Sequence, residues 1–210
     1  MMGGPPADAV DGLTDLWIVC HGYGQLAGAF LESFAGVATA SRRIVAPEGL
    51  SRFYLDRVSA PDRRVGATWM TREDREHEIA DQVAYLDALH ERLRPAATAS
   101  RVRLSVLGFS QGVATVTRWL SFGRVRADEV ILWAGAFPPD LDVASFAERL
   151  HGAPVVLVVG VHDALASWAG ADTLLQRFGE AGIAARLVSF DGGHRLDDAT
   201  LAAIAAVNGA

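Results

Sequence analysis

Ser110 stands where a serine can act as a nucleophile. It lies in the segment G-F-S-Q-G, after the apolar run RLSVL and before a helical pattern that begins at Val113. A tight turn from strand to helix strains the backbone of such a serine and lifts its Oγ above the sheet. Gly108 and Gly112 suit this turn because side chains there would collide with neighbouring backbone. We therefore expect Ser110 to be a catalytic nucleophile; the alternative is a glycine-rich turn in which Ser110 caps the helix.

Two side chains further along the chain could activate this serine. A serine hydroxyl is a poor nucleophile and needs a base, and the base needs an orienting acid. Asp163 follows the apolar run VVLVVG, and His194 follows the last such run, so each comes just past the carboxyl end of a predicted strand. Sites of open parallel sheets form at these strand ends, and one of the known chain orders of a triad is serine, acid, histidine. The sequence therefore predicts Asp163 as the acid and His194 as the base.

Both partners also have other interpretations. Asp163 could cap a helix, and His194 could be an ordinary loop histidine. Asp191 is a second candidate for the acid, but a residue in the short turn that carries the base can rarely reach its Nδ1 while the other ring nitrogen faces the serine. Asp191 and His194 could instead bind a metal ion, but the sequence offers no third ligand, so we expect no metal site.

A second turn could stabilise negative charge. The first strand-like run ends in VCHGYGQ, and an H-G-x-G turn there would place the backbone N–H of Tyr23 opposite that of Gln111, at a helix N-terminus. Two such donors would form an oxyanion hole. We expect the side chain of His21 to brace this loop rather than to react.

The elements that would position these residues alternate along the chain. Six apolar runs rich in Val, Ile and Leu barely alternate with polar residues, which favours strands covered on both faces. Helical patterns lie between them, so we predict a three-layer α/β fold with a parallel sheet. The longest irregular stretch is 48–69. The predicted strands are 16–20, 42–47, 102–108, 129–135, 155–160 and 185–190.

Composition limits the classes of function. The 210 residues are half apolar, which favours a single domain over 1–210, and the net charge of −6 argues against binding to nucleic acid or anionic membranes. Cys20 is the only cysteine, so no intrachain disulfide can form. The N-terminal sequence lacks the pattern of a signal peptide, and no apolar stretch is long enough to span a bilayer. We therefore expect a cytoplasmic protein without a membrane span.

Four motifs together resemble one known family. HGYGQ, GFSQG, GVHD and GGH, in this order, are similar to the phospholipase/carboxylesterase (acyl-protein thioesterase-like) family of α/β-hydrolases, and APEGLSRFYL with GATWMTREDR resembles its bacterial predicted esterases. The resemblance implies an α/β-hydrolase fold, a three-layer sandwich with a mostly parallel sheet. It implies Ser110, Asp163 and His194 as the triad, Tyr23 and Gln111 as oxyanion donors, and Trp69 beside the acyl pocket.

The connections after Ser110 are short and leave no room for a cap domain. We expect the stretch 48–69 to be the only connection long enough to lean over the site. It carries Tyr54 and ends at Trp69, next to Met70, and we predict that these three residues contact substrate; the alternative is that they belong to the core. The charged segment 72–78 could recognise a charged substrate or form a solvated helix start. A small apolar slot of this kind would favour short to medium acyl chains.

These observations predict a serine hydrolase that cleaves a small-molecule carboxylic ester through an acyl-serine intermediate, with no cofactor. The same triad would serve a thioesterase or a lysophospholipase that acts on longer acyl chains. A non-catalytic binding protein on the same scaffold is a further alternative, against which all three filled triad positions argue.

Overall fold

The computed structural model describes residues 2–3, 12–59, 61–93 and 101–207. The strands are β1 (Met2–Gly3), β2 (Asp15–Cys20), β3 (Arg42–Val45), β4 (Ser51–Tyr54), β5 (Val65–Thr68), β6 (Arg103–Phe109), β7 (Glu129–Trp133), β8 (Val155–Gly160) and β9 (Ala185–Phe190). The helices are α1 (Ala27–Glu32), α2 (Arg75–Leu93), α3 (Gln111–Phe122), α4 (Val143–Leu150), α5 (Trp168–Glu180) and α6 (Asp198–Val207). Most of the N-terminal segment on which the signal-peptide expectation depends lies outside these described residues.

Seven strands form one sheet in the order β1–β3–β2–β6–β7–β8–β9, in which β1 is antiparallel to β3 and the remaining pairs are parallel. The parallel strands coincide with the six apolar runs of the sequence. Strands β2, β3, β7 and β8 are buried along their whole length. Continuous burial explains why these runs do not alternate with polar residues, and the predicted parallel sheet is confirmed.

Helices cover both faces of this sheet. Alternate side chains of β2 enter opposite layers of the core: Leu16 and Ile18 pack in the cluster that includes α2, α3, α4 and α5, whereas Trp17 and Val19 pack in the cluster with α1 and α6. Each face of the sheet therefore has its own apolar layer, and the expected three-layer arrangement is confirmed.

The stretch 48–69, which the sequence indicated as irregular, contains an antiparallel hairpin. Strands β4 and β5 pair with each other and form a sheet separate from the large one. The carboxylate of Asp56 closes the hairpin turn by accepting hydrogen bonds from the backbone and the guanidinium of Arg64. The apolar pattern missed this hairpin because each strand has only four residues, with Ser, Arg, Gly and Thr among them.

The connections from β6 to β7 and from β7 to β8, which follow Ser110 in the chain, are short. Within the described residues, α3 is the only helix between β6 and β7, α4 is the only helix between β7 and β8, and no cap domain is present, as expected. None of the helices in these ranges has both the length and the apolar character that crossing a membrane requires.

Candidate active site

The turn between β6 and α3 holds Ser110 in a strained conformation. Its φ of 54° and ψ of −116° lie outside the regions that most non-glycine residues adopt. The turn is tightly packed: a Cβ at Gly108 would lie 2.4 Å from the carbonyl oxygen of Gly112, and a Cβ at Gly112 would lie 2.1 Å from that of Cys20. The Ser110 side chain makes no capping hydrogen bond to α3. The strand-to-helix turn indicated by G-F-S-Q-G is therefore present, and the serine hydroxyl is free to face another partner.

A line of hydrogen bonds joins Ser110, His194 and Asp163. The Oγ of Ser110 lies 2.9 Å from Nε2 of His194, and Nδ1 of His194 lies 2.8 Å from Oδ2 of Asp163. An ionised carboxylate only accepts hydrogen bonds, so Nδ1 carries the proton and Nε2 accepts from the serine hydroxyl. The side chain of Asp163 is fully buried, whereas that of His194 is 23% exposed. This geometry allows a proton to pass from the serine to the imidazole.

The loop after β8 holds the Asp163 carboxylate in place. Its Oδ1 accepts hydrogen bonds from the backbone N–H groups of Leu165 and Ala166, at 2.8 and 2.9 Å, which leaves Oδ2 for His194. Burial alone raises the pKa of the Asp163 carboxyl, but the hydrogen bonds from Ala166, His194 and Leu165 outweigh it, so this pKa lies below its ordinary value. The carboxyl is therefore ionised at neutral pH and oriented toward the imidazole.

The second candidate acid faces a different histidine. Oδ1 of Asp191 lies 3.0 Å from Nε2 of His162, and both side chains are largely exposed. Of the two aspartates, the one that lies against His194 is therefore Asp163. Within the described residues, no group of three or more His, Cys, Asp or Glu side chains could hold a metal ion.

The two backbone N–H groups predicted to form an oxyanion hole belong to Tyr23 and Gln111, and their role stays a prediction. Among the turn, loop and cap hydrogen bonds of the described residues, neither Tyr23 nor Gln111 is a backbone donor. The loop that carries Tyr23 lies against the serine, because a Cβ at Gly22 would lie 3.1 Å from Cβ of Ser110. The N–H of Gly22 donates to Oε1 of Gln25 over 2.7 Å and so helps to hold the loop. Gln111 is the first residue of α3, where backbone N–H groups lack partners within the helix.

The ring of His21 supports the loop that carries Tyr23 through hydrogen bonds to backbone groups. The ring accepts a hydrogen bond from the N–H of Gly49 at Nε2, over 2.9 Å, and donates from Nδ1 to the carbonyl of Gly22, over 2.8 Å. Burial lowers the pKa of His21, against the opposing effects of the Gly22 carbonyl and the Glu48 carboxylate. A neutral ring with both nitrogens bonded to backbone is suited to bracing rather than to proton transfer.

The three residues predicted to contact substrate lie in different environments. Tyr54 is 55% exposed, with the guanidinium of Arg63 above its ring, whereas Trp69 is 1% exposed and its indole N–H donates to the carbonyl of His21 over 2.8 Å. Met70 is half-buried beside Trp69. Trp69 thus belongs to the core, and contact of these three residues with substrate stays a prediction.

The charged segment 72–78 forms one ion pair with another part of the protein and one within itself. Nη2 of Arg75 lies 2.6 Å from Oδ1 of Asp140. Nδ1 of the exposed His77 lies 2.6 Å from Oδ1 of Asp74. Such pairs are typical of a solvated helix start.

A cavity that the sequence did not indicate lies beside the triad. Its volume is about 290 Å³, and its lining is mostly apolar. Gly135 packs against Ser110, since a Cβ there would lie 2.4 Å from the serine carbonyl oxygen, and Ala166 donates to the Asp163 carboxylate. The lining comes from segments far apart in the sequence, which is why no motif revealed it. It includes Leu132 in β7, Ala134, Gly135, Ala136 and Phe137 after β7, 157–159 in β8, Leu165, Ala166 and Ser167 before α5, and Gly170, Ala171, Thr173, Leu174 and Arg177 in α5.

Comparison with known proteins agrees with this geometry. The family described as Serine hydrolase (FSH1) matches residues 21–199. SOBER1 from Arabidopsis thaliana is 16% identical, with a TM-score of 0.70 over 92% of this chain and 96% of that chain. Acyl-protein thioesterase 2 from Zea mays is 14% identical, with a TM-score of 0.69 over 95% and 94% of the two chains. Esterase PE8 is 22% identical, with a TM-score of 0.66 over 99% and 97%. A search of curated proteins finds no match.

At these identities the solved structures show the fold alone, and the expected α/β-hydrolase fold is confirmed. The structural neighbours include an acyl-protein thioesterase and a phospholipase/carboxylesterase from Dyadobacter fermentans, so the fold implied by the four-motif resemblance is the one observed. The family match covers most of the chain, from the H-G-x-G turn to the start of α6. The chain therefore belongs to the FSH1 serine hydrolase family.

Proposed function

We propose that this protein is a carboxylesterase that hydrolyses esters of short to medium acyl chains through an acyl-serine intermediate. The observation that carries the proposal is the hydrogen-bonded line from Ser110 through His194 to Asp163. The substrate is a small-molecule ester, and no step of the reaction needs a cofactor.

In the first half of this reaction, Nε2 of His194 accepts the Ser110 proton as Oγ attacks the ester carbonyl carbon. The resulting oxyanion accepts hydrogen bonds from the N–H groups of Tyr23 and Gln111, which stabilise charge that develops only in the transition state. The C–O bond to the alcohol then breaks, and the alcohol leaves with the proton from His194. Asp163 holds the imidazole in the required tautomer and stabilises its cationic form.

In the second half, a water molecule gives a proton to His194 and attacks the acyl-serine carbonyl. The same two N–H groups stabilise the second tetrahedral intermediate. The bond from the acyl carbon to Oγ breaks, His194 returns the proton to Ser110, and the carboxylic acid leaves. The tight packing of the Ser110 turn supports a fixed backbone position for the nucleophile through both halves.

The cavity beside the triad supports the assignment of chain length. Ligand sites usually have volumes of about 300–1,000 Å³, so a cavity of about 290 Å³ suits a small apolar group. Each methylene buried there contributes about 0.8 kcal/mol until the chain exceeds the depth of the cavity.

A series of p-nitrophenyl esters from acetate to palmitate tests this proposal. We expect the highest kcat/KM between acetyl and hexanoyl, little activity on palmitoyl, and no rate increase at the micellar threshold, because no lid must open. Ala171→Phe should fill the cavity and move the optimum to shorter chains, since Ala171 lines it. Ala169→Phe, on the exposed side of the same helix, is the matched control and should leave the optimum unchanged.

The same series separates the alternatives. A maximum at palmitoyl, or a rate increase with micelles, would identify an open groove of the lysophospholipase or thioesterase kind instead. Matched acyl thioesters, assayed beside the oxygen esters, would show which leaving group the protein prefers.

Activity should rise with pH across the range in which histidines titrate, because only a neutral imidazole can accept the Ser110 proton. Histidine side chains have a reference pKa of about 6.5. The pKa of the Asp163 carboxyl lies below its ordinary value, despite burial, because of its hydrogen bonds, so the loss of activity in acid reports the histidine and not the aspartate. The measurement is kcat/KM from about pH 5 to pH 9, and a flat profile would contradict His194 as the base.

A further inference from the structure

The side chain of Gln111 is bonded to the end of β5. Its Oε1 accepts a hydrogen bond from the backbone N–H of Trp69 over 3.2 Å, and its Nε2 donates to the carbonyl of Met70 over 3.0 Å and to Oγ1 of Thr68 over 2.9 Å. A backbone N–H only donates and a carbonyl only accepts, so these contacts settle which end of the amide faces which partner. The carboxamide thus satisfies a donor and an acceptor of the segment 68–70 at once.

Strand β5 also supports the loop that carries Tyr23. The N–H of Gly24 donates to the carbonyl of Ala67 over 2.8 Å, and the N–H of Ala67 donates to the carbonyl of Gln25 over 3.1 Å. The packing is close, since a Cβ at Gly66 would lie 2.4 Å from the carbonyl oxygen of Gly24. The Tyr23 loop is therefore held against β5 by two hydrogen bonds and close packing.

The β4–β5 hairpin needs such contacts because it is not part of the large sheet. A two-stranded hairpin alone is marginally stable in water. One of its attachments is the loop after β2, and another is the Gln111 side chain at the start of α3. The two elements that carry the proposed oxyanion donors are thus connected through the end of β5.

We propose that the carboxamide of Gln111 is a positioning group that sets the distance between the two N–H donors of the oxyanion hole. One donor is the N–H of Gln111 itself, on α3, and the other is the N–H of Tyr23, on the loop held by β5. Donors must lie about 2.7–3.1 Å from the oxyanion, and a displacement of about 1 Å can cost about 10²-fold in rate. This role depends on the proposed ester hydrolysis, and it gives the glutamine side chain a function distinct from that of its backbone.

Gln111→Met tests the proposal, because methionine keeps the length of the side chain and removes both hydrogen-bonding groups. We expect kcat/KM for p-nitrophenyl butyrate to fall by about 10–10²-fold, with the loss in kcat rather than in KM. The inhibition constant of an alkyl trifluoromethyl ketone should rise in proportion, because its tetrahedral adduct with serine places an oxyanion in the same hole. Gln111→Asn keeps the amide on a shorter side chain. Its loss of kcat/KM and the rise of its inhibition constant should show the same proportionality.

Three further measurements separate positioning from general damage. The acid limb of the pH profile should not move, since the His194–Asp163 pair makes no hydrogen bond to Gln111. Hydrogen exchange at the Trp69 amide should become faster in Gln111→Met. Gln176→Met, at an exposed glutamine of α5 bonded to Asp172, is the matched control and should keep wild-type activity and inhibition.

An active wild type whose Gln111→Met variant keeps kcat/KM within about threefold would overturn the positioning role alone. A variant whose acid limb shifts, or whose inhibition constant stays constant while kcat falls, would overturn it as well. A wild type that hydrolyses neither esters nor thioesters would overturn the proposed function, and the catalytic part of this proposal with it.

Discussion

Ser110→Ala should lower kcat by about 10⁴–10⁶-fold, because the members of a triad act as a unit. Removing Oγ takes away the nucleophile and the hydrogen bond to Nε2 of His194. The fold should survive, since Ser110 lies on a turn and alanine has a similar backbone preference at its φ of 54°. We expect the thermal midpoint to change by less than about 4 °C, which in a chain of this size corresponds to about 1 kcal/mol.

The control for this variant is Ser121→Ala, on α3, the helix that follows Ser110. The hydroxyl of Ser121 donates to the carbonyl of Thr117 and lies three turns from the site, so its loss should leave turnover unchanged. Labelling with a fluorophosphonate probe gives a second readout. The wild type and Ser121→Ala should be labelled and Ser110→Ala should not. Near-wild-type turnover in Ser110→Ala would contradict the nucleophile assignment, and a folded wild type that takes up no label would favour the binding-protein alternative.

Asp163→Asn should lower kcat by about 10⁴-fold, the cost of holding the base in the wrong tautomer. The physical reason lies in the loop after β8. Leu165 and Ala166 both donate to Oδ1, so the amide oxygen of an asparagine would occupy that position and its NH₂ would face His194. Nδ1 of His194 would then have to accept a hydrogen bond, its proton would move to Nε2, and Nε2 could no longer accept from Ser110.

Asp191→Asn is the matched control for this substitution. Its carboxylate is exposed and pairs with His162 rather than with His194, so kcat should stay within about twofold of the wild type. Both variants are compared by steady-state kinetics on the same butyrate ester. If Asp191→Asn proves the more damaging of the two, the assignment of the acid is wrong.

The parallel strands and the Ser110 turn could be predicted from the sequence because their causes are local. A strand covered on both faces must be apolar at every position, so β2 and β8 stand out as continuous runs without knowledge of their neighbours. The turn at Ser110 needs glycines at 108 and 112 because backbone passes within 2.1–2.4 Å of where their Cβ atoms would be. Because only glycine fits at these two positions, the G-x-S-x-G pattern can be recognised in the sequence.

The sequence reduced the candidates for the acid beside His194 to two aspartates but could not show the contact itself. Two aspartates, Asp163 and Asp191, follow predicted strands between Ser110 and His194, and the shortness of the turn from Asp191 to His194 favoured Asp163. The contact itself depends on the parallel pairing of β8 with β9, which brings the loops after both strands to one edge of the sheet. Strand pairing is a long-range interaction, and no spacing along the chain specifies it.

The hairpin, the cavity and the hydrogen bonds of the Gln111 side chain to 68–70 depend on the tertiary structure alone. β4 and β5 are too short and too mixed in polarity to show a pattern, and their pairing depends on support from the loop after β2 and from α3. The cavity arises where segments from β7, β8 and α5 fail to fill the space between them. The sequence shows a glutamine after the serine, but its partners at 68–70 lie about forty residues earlier in the chain. Local steric requirements restrict which residues can occur at neighbouring positions and can therefore be predicted from the sequence. Packing between distant segments forms only when the chain folds and has no such local pattern.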